Sequence, residues 1–118
     1  MTALLGDCGA QLRATAEGGF DGLVVAAMGA GHVPQRMLPA LEQVVLRIPV
    51  AATSRTGAGP LLRNTYGFPG SERDLHRLGL LDGHGLAPLK ARVLLTMALW
   101  CEPDREAAEE LFRQHVSA

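Results

Sequence analysis

Residues 22–34 read Gly-Leu-Val-Val-Ala-Ala-Met-Gly-Ala-Gly-His-Val-Pro. The opening six are apolar and partly β-branched, with no polar residue alternating between them. Such a run fits a central parallel strand covered on both faces rather than a half-exposed one. A glycine-rich turn ends it at Gly29–His32. Pro34 then restarts the chain as a helix, since a proline at the first helical position gives up only an N–H that has no partner anyway. Met37, Leu38, Leu41, Val44 and Val45 form one stripe of that helix. Pro49 ends it near Arg47, because the residue before a proline avoids helical angles. Strand, turn, helix and a second short strand at Val50–Thr53 make a βαβ unit, whose two strands run parallel through a right-handed crossover.

Working outward, Thr2–Leu5 is a strand stub, and Asp7 is expected to cap a helix over Cys8–Glu17 through its carboxylate. Gly18-Gly19 ends that helix. From Ser54 to Gly85 the chain carries seven of its fourteen glycines. This reads as a long loop with one helical turn at Ser71–Leu78, capped by Ser71, and an extended piece at Gly79–Leu81. Ala87-Pro88 opens a helix whose buried face is expected to be Leu89, Val93, Leu94, Met97, Ala98 and Cys101. Lys90 and Arg92 stand in its first turns, where positive charge opposes the helix dipole, so both are expected to pair with acids or carbonyls elsewhere. Asp104 begins a last helix with Ala107, Ala108, Leu111 and Phe112 on its inner side. The fold class is α/β: a small three-layer αβα domain, Rossmann-like, with a mostly parallel sheet and a truncated first strand. Residues 1–118 make one domain.

Composition narrows the function. Apolar residues are 47% and charged residues 19%, too apolar and too weakly charged for disorder. A formal charge of −1 offers no broad footprint for nucleic acid or an anionic membrane. No apolar run approaches the ~20 residues of a membrane span, and Met1–Leu5 is not a signal peptide. Cys8 and Cys101 lack zinc or redox spacing. They suit a reduced, cytoplasmic protein, most simply as two small buried hydrophobes. The four histidines, His32, His76, His84 and His115, show no metal-ligand spacing, so no metal is expected.

Two turns fall where an α/β sheet places ligands, beyond the carboxyl ends of its strands. Gly29–His32 could offer free amides to a phosphate or nucleotide, but Pro34 stands where a dinucleotide fingerprint needs its third glycine. Ser54 and Arg55 follow the second strand. Arg55 could clamp a carboxylate or phosphate, or pair with an internal acid and brace the loop. Ser54 has no neighbouring base and stands in no nucleophile elbow. Glu72 reads from spacing alone as a helix-start carboxylate.

Four segments carry a resemblance: 22–34 (GLVVAAMGAGHVP), 48–60 (IPVAATSRTGAGP), 65–75 (TYGFPGSERDL) and 85–99 (GLAPLKARVLLTMAL). In this order they resemble the carboxy-terminal domain of bacterial L-asparaginases of the asparaginase/glutaminase family, over roughly Leu4–Phe112. Many members carry Asn where this chain has His32. The resemblance implies hydrolysis of the side-chain amide of L-asparagine, or of L-glutamine, without a cofactor. It implies that the nucleophilic threonine lies in an amino-terminal domain, and that the small domain completes the pocket of a neighbouring subunit. His32 and Glu72 are then the substrate-binding residues, with Glu72 facing the substrate's α-amino group. Ser54, Arg55, Lys90 and Arg92 match structural motifs, with Ser54 and Arg55 supporting the loop. No threonine motif of the nucleophile type is present, so no residue here is expected to be catalytic and the chain is expected to be inactive alone. It reads as a fragment, a truncated gene product or half of a split enzyme. Its partner would be a homo-oligomer mate or a full-length asparaginase subunit. The alternative is a stand-alone phosphate-binding or subunit-interaction module.

Overall fold

A computed structural model describes residues 1–57 and 59–117. Ala58, inside the expected long loop, and Ala118 lie outside the described residues. The chain orders α1 (Ala10–Glu17), β1 (Leu23–Ala27), α2 (Leu38–Arg47), β2 (Val50–Ser54), α3 (Glu72–Arg77), β3 (Leu81–Asp82), α4 (Pro88–Cys101) and α5 (Arg105–His115). The three strands are parallel in the order β1-β2-β3, with Leu23 beside Val50 and Ala51 beside Leu81. Where a strand stub at Thr2–Leu5 was expected, the structure has a single parallel bridge, Thr2 to Ala26, with Ala3 N–H donating to the Ala26 carbonyl at 2.9 Å.

Both sheet faces are covered, as the unalternating apolar run requires. On one side Val25, Ala27, Val50 and Ala52 meet Leu12 of α1, and Leu41 and Val44 of α2. On the other, Val24, Ala51 and Leu81 meet Ala91, Leu95 and Ala98 of α4 and Phe112 of α5. This is the three-layer αβα domain. Burying a side chain of this size contributes roughly 1.5–3 kcal/mol, and the two cores share the sheet between them.

Several local expectations are corrected. Asp7 does not cap α1. Gly9, left-handed at φ 82°, holds the N-cap position, and Asp7 Oδ1 accepts from Gly9 N–H at 3.0 Å in a turn one step earlier. Pro34 does not open a continuous helix. It is extended (ψ 138°), because Val33 N–H donates across to the Gly70 carbonyl at 2.9 Å and holds this segment straight. A short 3-10 turn at Gln35–Met37 follows, and α2 starts at Leu38 with Pro39 in its first turn. Gly70 has to be glycine here: its φ is +89°, and a Cβ would collide with the Val33 carbonyl.

The largest correction concerns α4. Its buried residues are Ala91, Leu95 and Ala98, with Leu94 partly buried, whereas Leu89, Val93, Met97 and Cys101 face outward. The helix is apolar around most of its circumference, so periodicity alone selects no face. Two alanines let its backbone approach the sheet, and that close approach fixes the rotation. Neither Lys90 nor Arg92 finds the expected partner: among the described residues their side chains make no hydrogen bond or ion pair. Cys8 and Cys101 are both exposed rather than buried.

Candidate functional site

The site is built where β1 and β2 end. After Ala27 the chain turns through Gly29–Gly31, with Ala30 at φ 66° and Gly31 at φ 102°. Met28 and His32 then pair across the turn. The amides of Gly31 and His32 both donate to the Met28 carbonyl, at 3.0 and 3.2 Å. They are therefore not available to an anion, and α2 does not begin at the turn. The phosphate-cradle arrangement considered from sequence is not formed by these two donors.

Glu72 opens α3. Ser71 occupies the N-cap position, but its hydroxyl makes no capping bond, contrary to expectation. The Glu72 carboxylate turns inward and is 1% exposed. Its Oε1 accepts two backbone bonds, from Thr65 N–H and Tyr66 N–H, each at 2.8 Å. Its Oε2 lies 3.6 Å from His32 Nδ1, too far for a good hydrogen bond. Neither atom has a hydrogen-bond partner among the described residues. Burial pushes the Glu72 carboxyl up, but the amides of Tyr66, of Glu72 itself and of Thr65, and then the His32 ring, more than offset this. Its pKa falls below the ordinary 4.5, so the group is a buried carboxylate anion at neutral pH.

The structure thus brings His32 and Glu72 together. It does not place them on an open rim. Tyr66 meets His32 edge-on at 5.1 Å between ring centroids, and Phe68 lies 4.8 Å from the same ring. Tyr66 and Phe68, themselves 5.8 Å apart between centroids, complete a three-ring cluster with His32 and are both half exposed. The cavity beside Glu72 measures only about 10 Å³, room for one water at most.

Ser54 and Arg55 act on the loop and not on this pair. Ser54 Oγ lies 2.7 Å from Thr56 Oγ1 and accepts from Thr56 N–H at 3.2 Å. Arg55 pairs with no acid among the described residues. Its Nη1 donates to the Ala3 carbonyl at 3.0 Å, and its own N–H to the Ala27 carbonyl at 2.8 Å. Arg55 therefore ties the strand stub to the ends of β1 and β2.

Sequence reasoning missed three features. One is the packing of Tyr66 and Phe68 on the His32 ring, which lies in TYGFPGSE but reads there as loop composition. A second is the set of orphaned polar atoms: besides His32 Nδ1 and Glu72 Oε2, the buried Thr53 Oγ1 and Ser71 Oγ lack partners among the described residues. All four belong to the carboxyl edge of the sheet, and each unpaired buried group costs about 1–3 kcal/mol. The third is Arg63, which bonds Asp82 at 3.1 Å beside a groove also lined by His76 and His84. No signal of periodicity or spacing points to these. Among the described residues, no three His, Cys, Asp or Glu side chains gather as metal ligands, and no helix is long and apolar enough to cross a membrane.

Comparison with known proteins bears on this edge. Residues 1–112 match the model of the glutaminase/asparaginase C-terminal domain. A probable L-asparaginase of Deinococcus radiodurans is 38% identical over 96 residues, which are 81% of this chain and 29% of that protein. An L-asparaginase of Bacillus licheniformis is 30% identical over 77% of this chain and 28% of its own length. A glutamyl-tRNA(Gln) amidotransferase component of Methanosarcina acetivorans is 30% identical over 84% of this chain and 23% of its own length. The chain spans less than a third of the length of each of these relatives.

Proposed function

Because the chain belongs to the glutaminase/asparaginase C-terminal domain family, we propose that it is the pocket-completing part of an asparaginase-type amidohydrolase. It presents His32 and Glu72 to the amino-acid substrate, L-asparagine or L-glutamine, in a catalytic site assembled with a neighbouring subunit. The nucleophile comes from an amino-terminal domain outside these residues, so the chain by itself is inactive. Its setting is the cytoplasm, and its partner is a second copy or a full-length asparaginase subunit.

One observation carries the reading: a buried carboxylate anion with one oxygen saturated by two amides and the other left without a donor among the described residues. An anion held out of water is costly unless something positive meets it. The α-ammonium of an amino acid supplies both the charge and the donors that Oε2 lacks. The Thr65 and Tyr66 amides hold the carboxylate in place whether or not the ligand is there, so binding needs no reorganisation of Glu72. The absence of any larger cavity beside the carboxylate among the described residues fits a half-site that needs its complement.

The test is a chimera with these 118 residues placed after the amino-terminal portion of the Deinococcus radiodurans relative. Glu72→Gln keeps an acceptor for the two amides but removes the charge. It should lower kcat/KM for asparagine at least tenfold, a loss of about 1.4 kcal/mol of transition-state binding, and His32→Ala should weaken it as well. An unchanged kcat/KM in an active chimera carrying Glu72→Gln removes the carboxylate from the site.

A further inference from the structure

Two adjoining cavities open beside β3, of about 480 and 320 Å³. They meet at Arg63, Asn64 and His76, which line both. Each is within the ~300–1,000 Å³ range of small-molecule sites. The larger runs past the carboxyl end of β3 to His84 and to Arg113 of α5. The smaller runs along α3 to Arg73 and Arg77. Neither is lined by His32, Glu72 or any residue of the Gly29–His32 turn.

The two acids of this groove have both oxygens engaged. Asp82 Oδ1 accepts from His84 N–H at 2.7 Å, and its Oδ2 from Arg63 Nε at 3.1 Å. Asp74 Oδ1 accepts from Arg77 Nη2 at 2.7 Å, and its Oδ2 from Gly70 N–H at 3.0 Å. Donors are in surplus. Among the described residues the side chains of Asn64, Arg73 and His76 make no hydrogen bond or ion pair. Arg63 keeps further N–H groups beyond the one given to Asp82. Three guanidiniums, those of Arg63, Arg73 and Arg77, face two carboxylates, so the groove is cationic before either imidazole is counted. Arg113, on the far wall, is held by Glu109 at 3.3 Å and Glu110 at 3.5 Å.

His84 has a left-handed backbone, φ +49°, which residues other than glycine seldom adopt. The bond from its N–H to Asp82 holds this turn and brings His84 Nε2 to 3.4 Å from Arg63 Nη2. One carboxylate therefore positions two basic groups side by side on the cavity wall. An imidazole in its cationic form has two donors and no acceptor, so beside a guanidinium it calls for an anion between them.

We propose that this groove binds a phosphate dianion, either free phosphate or the monoester of a small phosphorylated compound. Arg63 and His84 grip it at the end of β3, and Asn64, His76 and Arg73 donate from the side of α3. Guanidinium and phosphate match in geometry as well as charge. An extended nucleic-acid backbone fits less well, because Asp74, Asp82, Glu109 and Glu110 break up the run of basic groups it would need. Asn64 directly precedes Thr65 and Tyr66, whose amides hold Glu72, so an occupied groove steadies that loop. The site itself uses neither His32 nor Glu72 and stands or falls independently of the substrate reading.

Nuclear magnetic resonance titration of the ¹⁵N-labelled chain tests this, with inorganic phosphate and glycerol 3-phosphate as the probes. The amide signals of Asn64, Thr65 and His84 should shift and saturate, and hydrogen exchange at Thr65 and Tyr66 should slow. Saturation by inorganic phosphate alone identifies the ligand as the free ion, and equal or tighter binding of glycerol 3-phosphate identifies it as a monoester. Arg63→Ala, at a side chain 59% exposed, and His84→Asn, which tolerates the left-handed backbone, should each weaken binding at least tenfold with an unchanged circular dichroism spectrum. Arg36→Ala, outside the groove, should leave binding as it is. The proposal is overturned if neither probe gives a saturable shift, or if binding survives both groove variants. Tighter binding of a poly(U) strand at the same signals would assign the groove to nucleic acid and overturn it as well.

Discussion

Glu72 holds the Thr65–Tyr66 loop with one carboxylate oxygen and leaves the other without a donor among the described residues. Its pKa is depressed in the folded protein, so the unfolded chain binds more protons as pH falls through the carboxylate range. Stability contributed by Glu72 is therefore present above the ordinary value of 4.5 and lost on acidification below it. Melting temperatures measured between neutral pH and strongly acidic pH should show a fall in the wild-type chain that is shallower in Glu72→Gln. Parallel curves would mean that the carboxylate gains nothing from its amides. Spacing did mark Glu72 as a carboxylate at the start of α3. It could not show that the side chain turns under a loop to face a histidine forty residues earlier.

At the scale of elements, end signals and helix faces each succeeded where a polar marker had no competitor: Asp104 and the α2 stripe were legible, whereas Asp7, Pro34, Ser71 and the α4 face were not. Asp104 is the N-cap of α5, its Oδ2 accepting from Ala107 N–H at 3.0 Å. Asp104→Ala should cost about 1 kcal/mol, visible as a lower urea midpoint with an unchanged slope; an unmoved midpoint would show that α5 is held by Phe112 and the sheet alone. Asp7 carries the same chemistry and does not cap, because Gly9 takes the cap position with a left-handed backbone. The α2 stripe of Met37, Leu41, Val44 and Val45 was legible because Glu42, Gln43 and Arg47 mark its outer side. In α4 the polar markers are few. There the stripe at 89, 93 and 97 and the stripe at 91, 95 and 98 satisfy the same periodicity, and only the second has alanines small enough for contact with the sheet.

For the whole molecule, the central expectation is that these residues alone do not hydrolyse an amide. The purified chain, given L-asparagine, should release no ammonia above a heat-killed control; release that follows chain concentration would place a nucleophile within these residues. The αβα layering and the parallel direction of the strands followed from the sequence alone. Unbroken apolar runs between amphipathic helices leave few other ways to bury both faces of a strand, and the four family segments stand in the order of the fold. Tertiary structure alone settled which side of α4 is inside, that Arg55 holds the strand stub instead of an acid, and that His32 meets Glu72 on one side and the rings of Tyr66 and Phe68 on the other. The physical reason is common to these cases. Periodicity and turn chemistry act over a few neighbouring residues, whereas these contacts join segments dozens of residues apart, where close packing and the desolvation of polar atoms make the choice.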